Sequence, residues 1–135
     1  MADLSQTPAN VKPMSGGAVV LAIGAEALTQ GQPLYLDGAK YRRCTAGGTV
    51  AQANCEAIAL TPCGVDGPVV IARAGMEIDL GATLTVGTVY AVSATTGAIA
   101  PIADLVSTNF VTPIGTAVTS GKLRFNPQPS GVAKA

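Results

Sequence analysis

Apolar and polar residues alternate in short runs between Ala18 and Phe125, and none of these runs keeps a helical spacing. Met76 to Leu80 reads apolar, acidic, apolar, acidic, apolar, the pattern of a strand with one face buried. Ala18 to Ile23 is a continuous apolar run. Pro33 to Leu36 leads into Asp37-Gly38, and Lys40 to Thr45 returns, which predicts a hairpin. Glu56 to Leu60 and Pro68 to Ala72 flank a turn at Pro62 to Gly67. Thr88 to Ser93, Ala98 to Ile102, Phe110 to Pro113, Thr116 to Thr119 and Leu123 to Phe125 complete the set. Turn residues recur roughly every 8–12 positions, the rhythm of a sandwich or barrel. The pattern predicts an all-β chain, a single compact β-barrel or sandwich, with a helical turn only at Asp104 to Ser107.

The two ends read differently. Residues 1–16 hold Pro8, Pro13 and Gly16 with little periodicity, which predicts an extended, flexible N-terminal arm, disordered alone or laid against a partner. The β domain is expected over 17–126. Pro127, Pro129 and Gly131 make 127–135 a flexible tail.

An internal duplication runs through the middle. Leu28-Thr-Gln-Gly-Gln-Pro-Leu-Tyr-Leu36 matches Leu84-Thr-Val-Gly-Thr-Val-Tyr-Ala-Val92 if one residue is deleted, and Ala57-Ile58-Ala59 then falls near Pro113-Ile114-Gly115. The halves read as related hairpin units over one core. Gly31 and Gly87 are placed to supply positive φ before each strand, and Tyr35 and Tyr90 to share a face.

Composition narrows the chemistry. The 135 residues are 48% apolar and only 12% charged, eight cations against eight anions. That balance leaves no excess to neutralise a phosphate backbone, so no nucleic-acid partner is expected. There is no His, which excludes Ser-His-Asp and Cys-His nucleophile activation and any His-ligated zinc. Cys44, Cys55 and Cys63 lack a C-x-x-C spacing and read as reduced, buried side chains, with a Cys44–Cys55 bridge across a turn-like segment as the alternative. Lys12 followed by Ala18 to Ile23 loosely imitates a signal peptide, but the apolar run is short. No stretch approaches the roughly 20 apolar residues of a membrane span, and no membrane partner is expected.

Few residues carry candidate chemistry. Gly121-Lys122 is followed by Leu123 and falls in a hairpin, not in a phosphate-binding loop. Glu77 and Asp79 share a strand face, as an acid pair, a cation site or simply a solvated face. Arg42 and Arg43 beside Tyr41 can grip an anion or bridge to a neighbouring subunit. No catalytic, metal or cofactor site is assigned, and no enzymatic activity is expected.

The phrases EALTQGQPLYLDGAKYR, AIALTPCG with GPVVIARAG, and TVYAVSATTGAIAP with DLVSTNFVTPIGTAV occur in that order between Ala18 and Phe125. With them the chain resembles the capsid decoration, or head cement, proteins of tailed bacteriophages. The resemblance implies a β-clip or β-tulip-like fold, a homo-oligomer (a trimer more often than a dimer) and a place on the capsid exterior of a virion assembled in the host cytoplasm. It also implies the major capsid protein as partner and a terminal arm that reaches onto the shell. The family has no fixed site motif to carry over. Val11 and Lys12 of the arm, with Tyr41, Arg42 and Arg43, are therefore the candidate capsid or subunit interface. Two other readings stand beside it: a head-fibre or tail-associated adhesin for a host glycan, poorly supplied by five aromatics without Trp, and a secreted β domain.

Overall fold

The computed structural model describes residues 3–4, 6–15 and 19–134. Among them, eleven strands form two antiparallel sheets. The six-stranded sheet runs, in spatial order, β1 (Val11–Ser15), β7 (Glu77–Leu80), β11 (Lys122–Phe125), β10 (Pro113–Thr119), β8 (Val89–Val92) and β9 (Ile99–Pro101). The five-stranded sheet runs β2 (Val19–Ile23), β6 (Pro68–Ala72), β5 (Ala57–Ala59), β3 (Pro33–Asp37) and β4 (Lys40–Arg43). The chain is all-β, as its alternation predicts, and the two sheets share a core as a sandwich does. Neither sheet closes into a barrel, although a parallel bridge from Gly24 to Tyr41 draws the ends of the smaller one together.

Directly opposed residues of an antiparallel pair project to the same side, so the registers assign the faces. In the six-stranded sheet Val11 lies opposite Leu80, Ile78 opposite Leu123, and Gly115 opposite both Phe125 and Tyr90. These side chains are buried and fill the larger core. The reverse face is polar, with Lys12 opposite Asp79, Glu77 opposite Arg124, and Arg124 opposite Thr116. The smaller sheet is apolar on both faces. Leu34, Ala57, Ala59, Val69 and Ile71 enclose a second core of their own, with Leu28 and Tyr41, while Ile58 and Ala72 join the larger core.

The duplication is real in the topology. Strands β2 to β6 and strands β7 to β11 are each ordered first, fifth, fourth, second, third. The turns before β3 and β8 match as well. Gly31 (φ +87°) donates to the Ala59 carbonyl, and Gly87 (φ +83°) to the Ala117 carbonyl. The residue correspondence, however, needs no deletion. Leu34 pairs with Ala57 as Tyr90 pairs with Gly115, so Leu34 and Tyr90 are the equivalent core residues. Tyr35 is half-buried on the opposite side of its strand from Leu34, and because the larger core lies between the two sheets it packs there with Tyr90. By the same register Ala57–Ala59 corresponds to Gly115–Ala117, two residues beyond the expected match.

The expected arm and tail are both built into the domain. Val11–Ser15 is an edge strand, and Pro8–Asn10 forms a 3₁₀ turn ahead of it. The Leu4 amide donates to the Ile99 carbonyl and the Thr7 amide to Gly81 (both 2.7 Å). Gln6 Nε2 spans the carbonyls of Gly31 (3.2 Å) and Leu80 (3.0 Å). At the other end, Lys134 exchanges backbone bonds with Thr108 and Asn109, and Val111 donates to Val132. Proline spacing suggested breaks, but an edge strand tolerates Pro13 because its unpaired side needs no N–H. Between Cys44 and Cys55 a one-turn helix α1 (Val50–Ala53) starts on Thr49, whose side chain accepts from the Gln52 amide while Gln52 answers the Thr49 amide. The expected helical turn near Asp104 is a 3₁₀ turn at Ile102–Asp104. The expected strands at Phe110 to Pro113 and Thr116 to Thr119 are one strand from Pro113 on.

Candidate interaction surface

Two of the five candidate interface residues have no surface to offer. Val11 is buried against Leu80, and Tyr41 is buried in the smaller core, so both side chains stabilise the fold from within. The alternation that makes Lys12 exposed makes Val11 internal. Arg43 is committed to Glu26. Its Nε (3.2 Å) and Nη2 (3.0 Å) donate to Oε1, and its backbone amide donates to Oε2 at 3.0 Å. That fork fixes the guanidinium on the body of the domain. Arg42 donates through Nε to Asp37 Oδ2 at 2.7 Å, across the β3–β4 hairpin. This hydrogen bond raises its pKa further, so Arg42 is cationic throughout. Lys40 pairs with Asp66 at 2.7 Å. The cations of β4 are thus met by anions of the same chain, which leaves little pull for an external anion.

The acid pair is also spoken for. Glu77 and Asp79 are half-buried on the polar face of β7, alternating with the buried Ile78 and Leu80 as the sequence implies. Glu77 faces Arg124 (3.4 Å), and Asp79 Oδ1 accepts from the Gly81 amide (2.9 Å). Among the described residues no three His, Cys, Asp or Glu side chains come together as a metal site would need. All three cysteines are free thiols: Cys44 and Cys55 are buried, Cys63 is partly exposed. Burial, and then a hydrogen bond with Cys55, push the Cys44 thiol far above its ordinary value. It is an inert packing group, not a nucleophile.

A depression of about 600 Å³ lies where the polar face of β7 meets the N-terminal turn. Thr7, Asn10, Lys12, Asp79, Thr83 and Ser120 line it. It is wide and open, and no aromatic ring lies in it to stack on a sugar.

The feature that sequence reading missed is the exposed face of β2, a strand it does expect over Ala18 to Ile23. An uninterrupted apolar run normally marks a strand buried on both faces. Here Ala22, opposite Val69, packs against the smaller core, and Val20, opposite Ile71, shares that face but is still 38% exposed. Val19, Leu21 and Ile23 turn the other way and are 52%, 71% and 39% exposed. No charged residue occurs between Lys12 and Glu26 to break this stripe. The strand ends its sheet: among the described residues β6 is its ladder neighbour, and β4 meets it just past Ile23 through the Gly24–Tyr41 bridge. The signal available in the sequence was that same absence of charge, which marks an apolar run without showing what covers it. Compared with known proteins, the chain matches no family model, no curated protein and no solved structure.

Proposed function

We propose that this chain is a structural virion protein that binds the outside of an expanded phage capsid and joins adjacent capsomers. The observation that carries the reading is the exposed, uncharged stripe of β2 on a sandwich in which four of the eight cations pair with anions of the same chain. Contiguous exposed apolar surface marks a site of association, and interface centres are depleted in charge. The resemblance supports the same reading. EALTQGQPLYLDGAKYR covers the β3–β4 hairpin, and TVYAVSATTGAIAP covers its equivalent, β8–β9. The phrases that carry it are therefore the two copies of one structural unit. With no His in the chain, acid–base and nucleophilic chemistry has few candidates, which suits a role of holding over one of turnover.

Such a protein works by number. One modest contact repeated over a shell gains avidity without new chemistry, and binding only the expanded lattice stabilises that lattice by mass action. Co-sedimentation of the purified chain with expanded heads and with unexpanded proheads tests this. Saturable binding to expanded heads alone is expected, and absence of binding to both contradicts it and turns attention to glycan binding.

A further inference from the structure

The outer face of the six-stranded sheet carries a groove, and the strand registers give its cross-section. Arg124 on β11 lies opposite Thr116 on β10, and Thr116 lies opposite Val89 on β8. A cation and an aliphatic wall therefore stand two strand spacings apart, about 10 Å, over a small hydroxyl-bearing floor. Along the groove, Arg124, Asn126 and Gln128 recur at every second residue and form a polar rail. The backbone stays paired there, since the Asn126 amide donates to the Ile114 carbonyl and the Gln128 amide to the Pro113 carbonyl. Val89, Pro113 and Val118 supply the apolar lining, and the groove holds about 550 Å³. That volume falls within the roughly 300–1,000 Å³ of ligand clefts.

The polar groups of the rail are loosely committed. Among the described residues lining the groove, Arg124 alone is charged. It meets Glu77 through a single contact of 3.4 Å from Nη2, and its side chain is 64% exposed. Arg43, by contrast, grips Glu26 with two donors. Among the described residues the side-chain amides of Asn126 and Gln128 bond to nothing. The duplication adds a second observation. Val20 pairs with Ile71 as Ile78 pairs with Leu123, so Thr116 and Arg124 are the counterparts of Ile58 and Ala72. In the first copy that face is buried in the larger core, whereas in the second Thr116 and Arg124 are exposed.

We propose that this groove binds an extended segment of a partner protein in which acidic and polar residues alternate with aliphatic ones. Side chains on one side of an extended chain recur at about 7 Å, the spacing of the rail itself. An Asp or Glu then meets the Arg124 guanidinium, a polar residue two positions on meets Asn126, and the aliphatic residues between them turn to Val89, Pro113 and Val118. A basic residue in place of the acid faces Arg124 as a like charge. Recognition here is by side chains, because β10 is flanked by β8 and β11 and offers no free main-chain edge. The groove belongs to the other sheet from the β2 stripe, and the inference does not depend on the capsid reading.

Titration of the isotopically labelled full chain with acetyl-Val-Glu-Val-Gln-Val-amide tests it, followed by NMR at Arg124 Nε–H and the side-chain amides of Asn126 and Gln128. Saturable shifts at all three are expected. Replacing the peptide's Glu by Lys is expected to abolish saturation. Arg124→Gln is expected to weaken binding by about tenfold or more, with β circular dichroism unchanged because the side chain is exposed. Arg42→Gln, on the other sheet, is expected to bind as the wild type does. Absence of saturable shifts with the Glu peptide at millimolar concentration overturns the proposal. So does equal binding of the Lys peptide, or an Arg124→Gln variant that keeps full affinity. Hexanoate binding as tightly as the peptide also overturns it, since the site would then take free aliphatic carboxylates.

Discussion

The β2–β6 half and the β7–β11 half thread their strands in the same order, yet they turn different chemistry outward. Where one presents Glu77, Asp79, Thr116 and Arg124, the other presents Val19, Leu21, Ile58 and Ala72. Ile58 and Ala72 are explained by the fold, since both pack into the larger core between the sheets. Val19 and Leu21 are not, because they lie beyond that cover. One unit used twice has thus kept its inner face in both copies. Its outer face is divided between solvent, the other copy and an open edge. Inner faces are held by packing, where a lost methylene group is felt at once, whereas outer faces are free to take up new contacts.

The largest effect separates the two kinds of leucine. Leu34→Asp buries an unpaired carboxylate in the smaller core and is expected to unfold the chain, removing most of the roughly 5–15 kcal/mol a domain carries. Leu21→Asp, on the exposed stripe, is expected to change stability by no more than about 0.5 kcal/mol. Urea unfolding followed by circular dichroism reads both. Similar losses for the two would erase the distinction between inner and outer faces.

Next in size is the cover of β7. Deleting residues 2–15 removes β1 and the buried Val11 side chain, worth roughly 1.5–3 kcal/mol by itself. The truncated chain is expected to melt at lower temperature and to associate more readily than the full chain, because β7 becomes an open edge. Thermal unfolding and sedimentation check this, and unchanged values for both would mean that β1 is not the cover.

A finer contrast lies in the two turns. A β-carbon on Gly87 meets nothing within 4 Å, so Gly87→Ala is expected to cost only the left-handed strain, on the order of 1 kcal/mol. A β-carbon on Gly31 would come within 2.6 Å of Gln6 Nε2 and 3.0 Å of Val11 Cγ2. Gly31→Ala is therefore expected to cost more, by about 1 kcal/mol for each Gln6 hydrogen bond it displaces. Equal midpoints in urea would show that the N-terminal segment does not lean on this turn.

The smallest effects concern the thiols. Cys63 is expected to react with a thiol reagent in the native chain, and Cys44 and Cys55 only after unfolding. Because burial raises the Cys44 pKa, the native state holds its proton where the unfolded chain releases it. That contribution to stability is complete below the ordinary thiol value, near 9, and declines as pH rises above it. Native labelling of all three would contradict the burial.

Much of this architecture can be read from the sequence, and the gaps have physical causes. Glu77 to Leu80 declares itself because alternation and flanking turns agree, and Pro68 to Ala72 because turns bound a short apolar run. The duplicate turns at Gly31 and Gly87 are legible because glycine is needed at positive φ. The register between the copies is not, since Leu34 and Tyr90 fill equivalent core sites with different shapes while Tyr35 lines up by name alone. The edge strand β1 hides behind Pro8 and Pro13, which break interior structure but suit an edge. Of the candidate surface, the cations of β4 were visible as residues, but their partners Glu26 and Asp37 appear only once the chain folds. The β2 stripe was visible only as apolar sequence, and whether such a run is buried depends on what the fold places over it.

The central claim is that two equivalent strands differ in their outer faces: β7 turns Glu77 and Asp79 outward and is flanked by β1, while β2 leaves an uncharged apolar stripe for a contact made outside the chain. Amide hydrogen exchange of the free chain and of the chain bound to expanded heads tests it most directly. Protection across Val19–Ile23 is expected to rise on binding, while protection across Glu77–Leu80 stays constant. Exchange in β2 that is unchanged on binding would contradict the account.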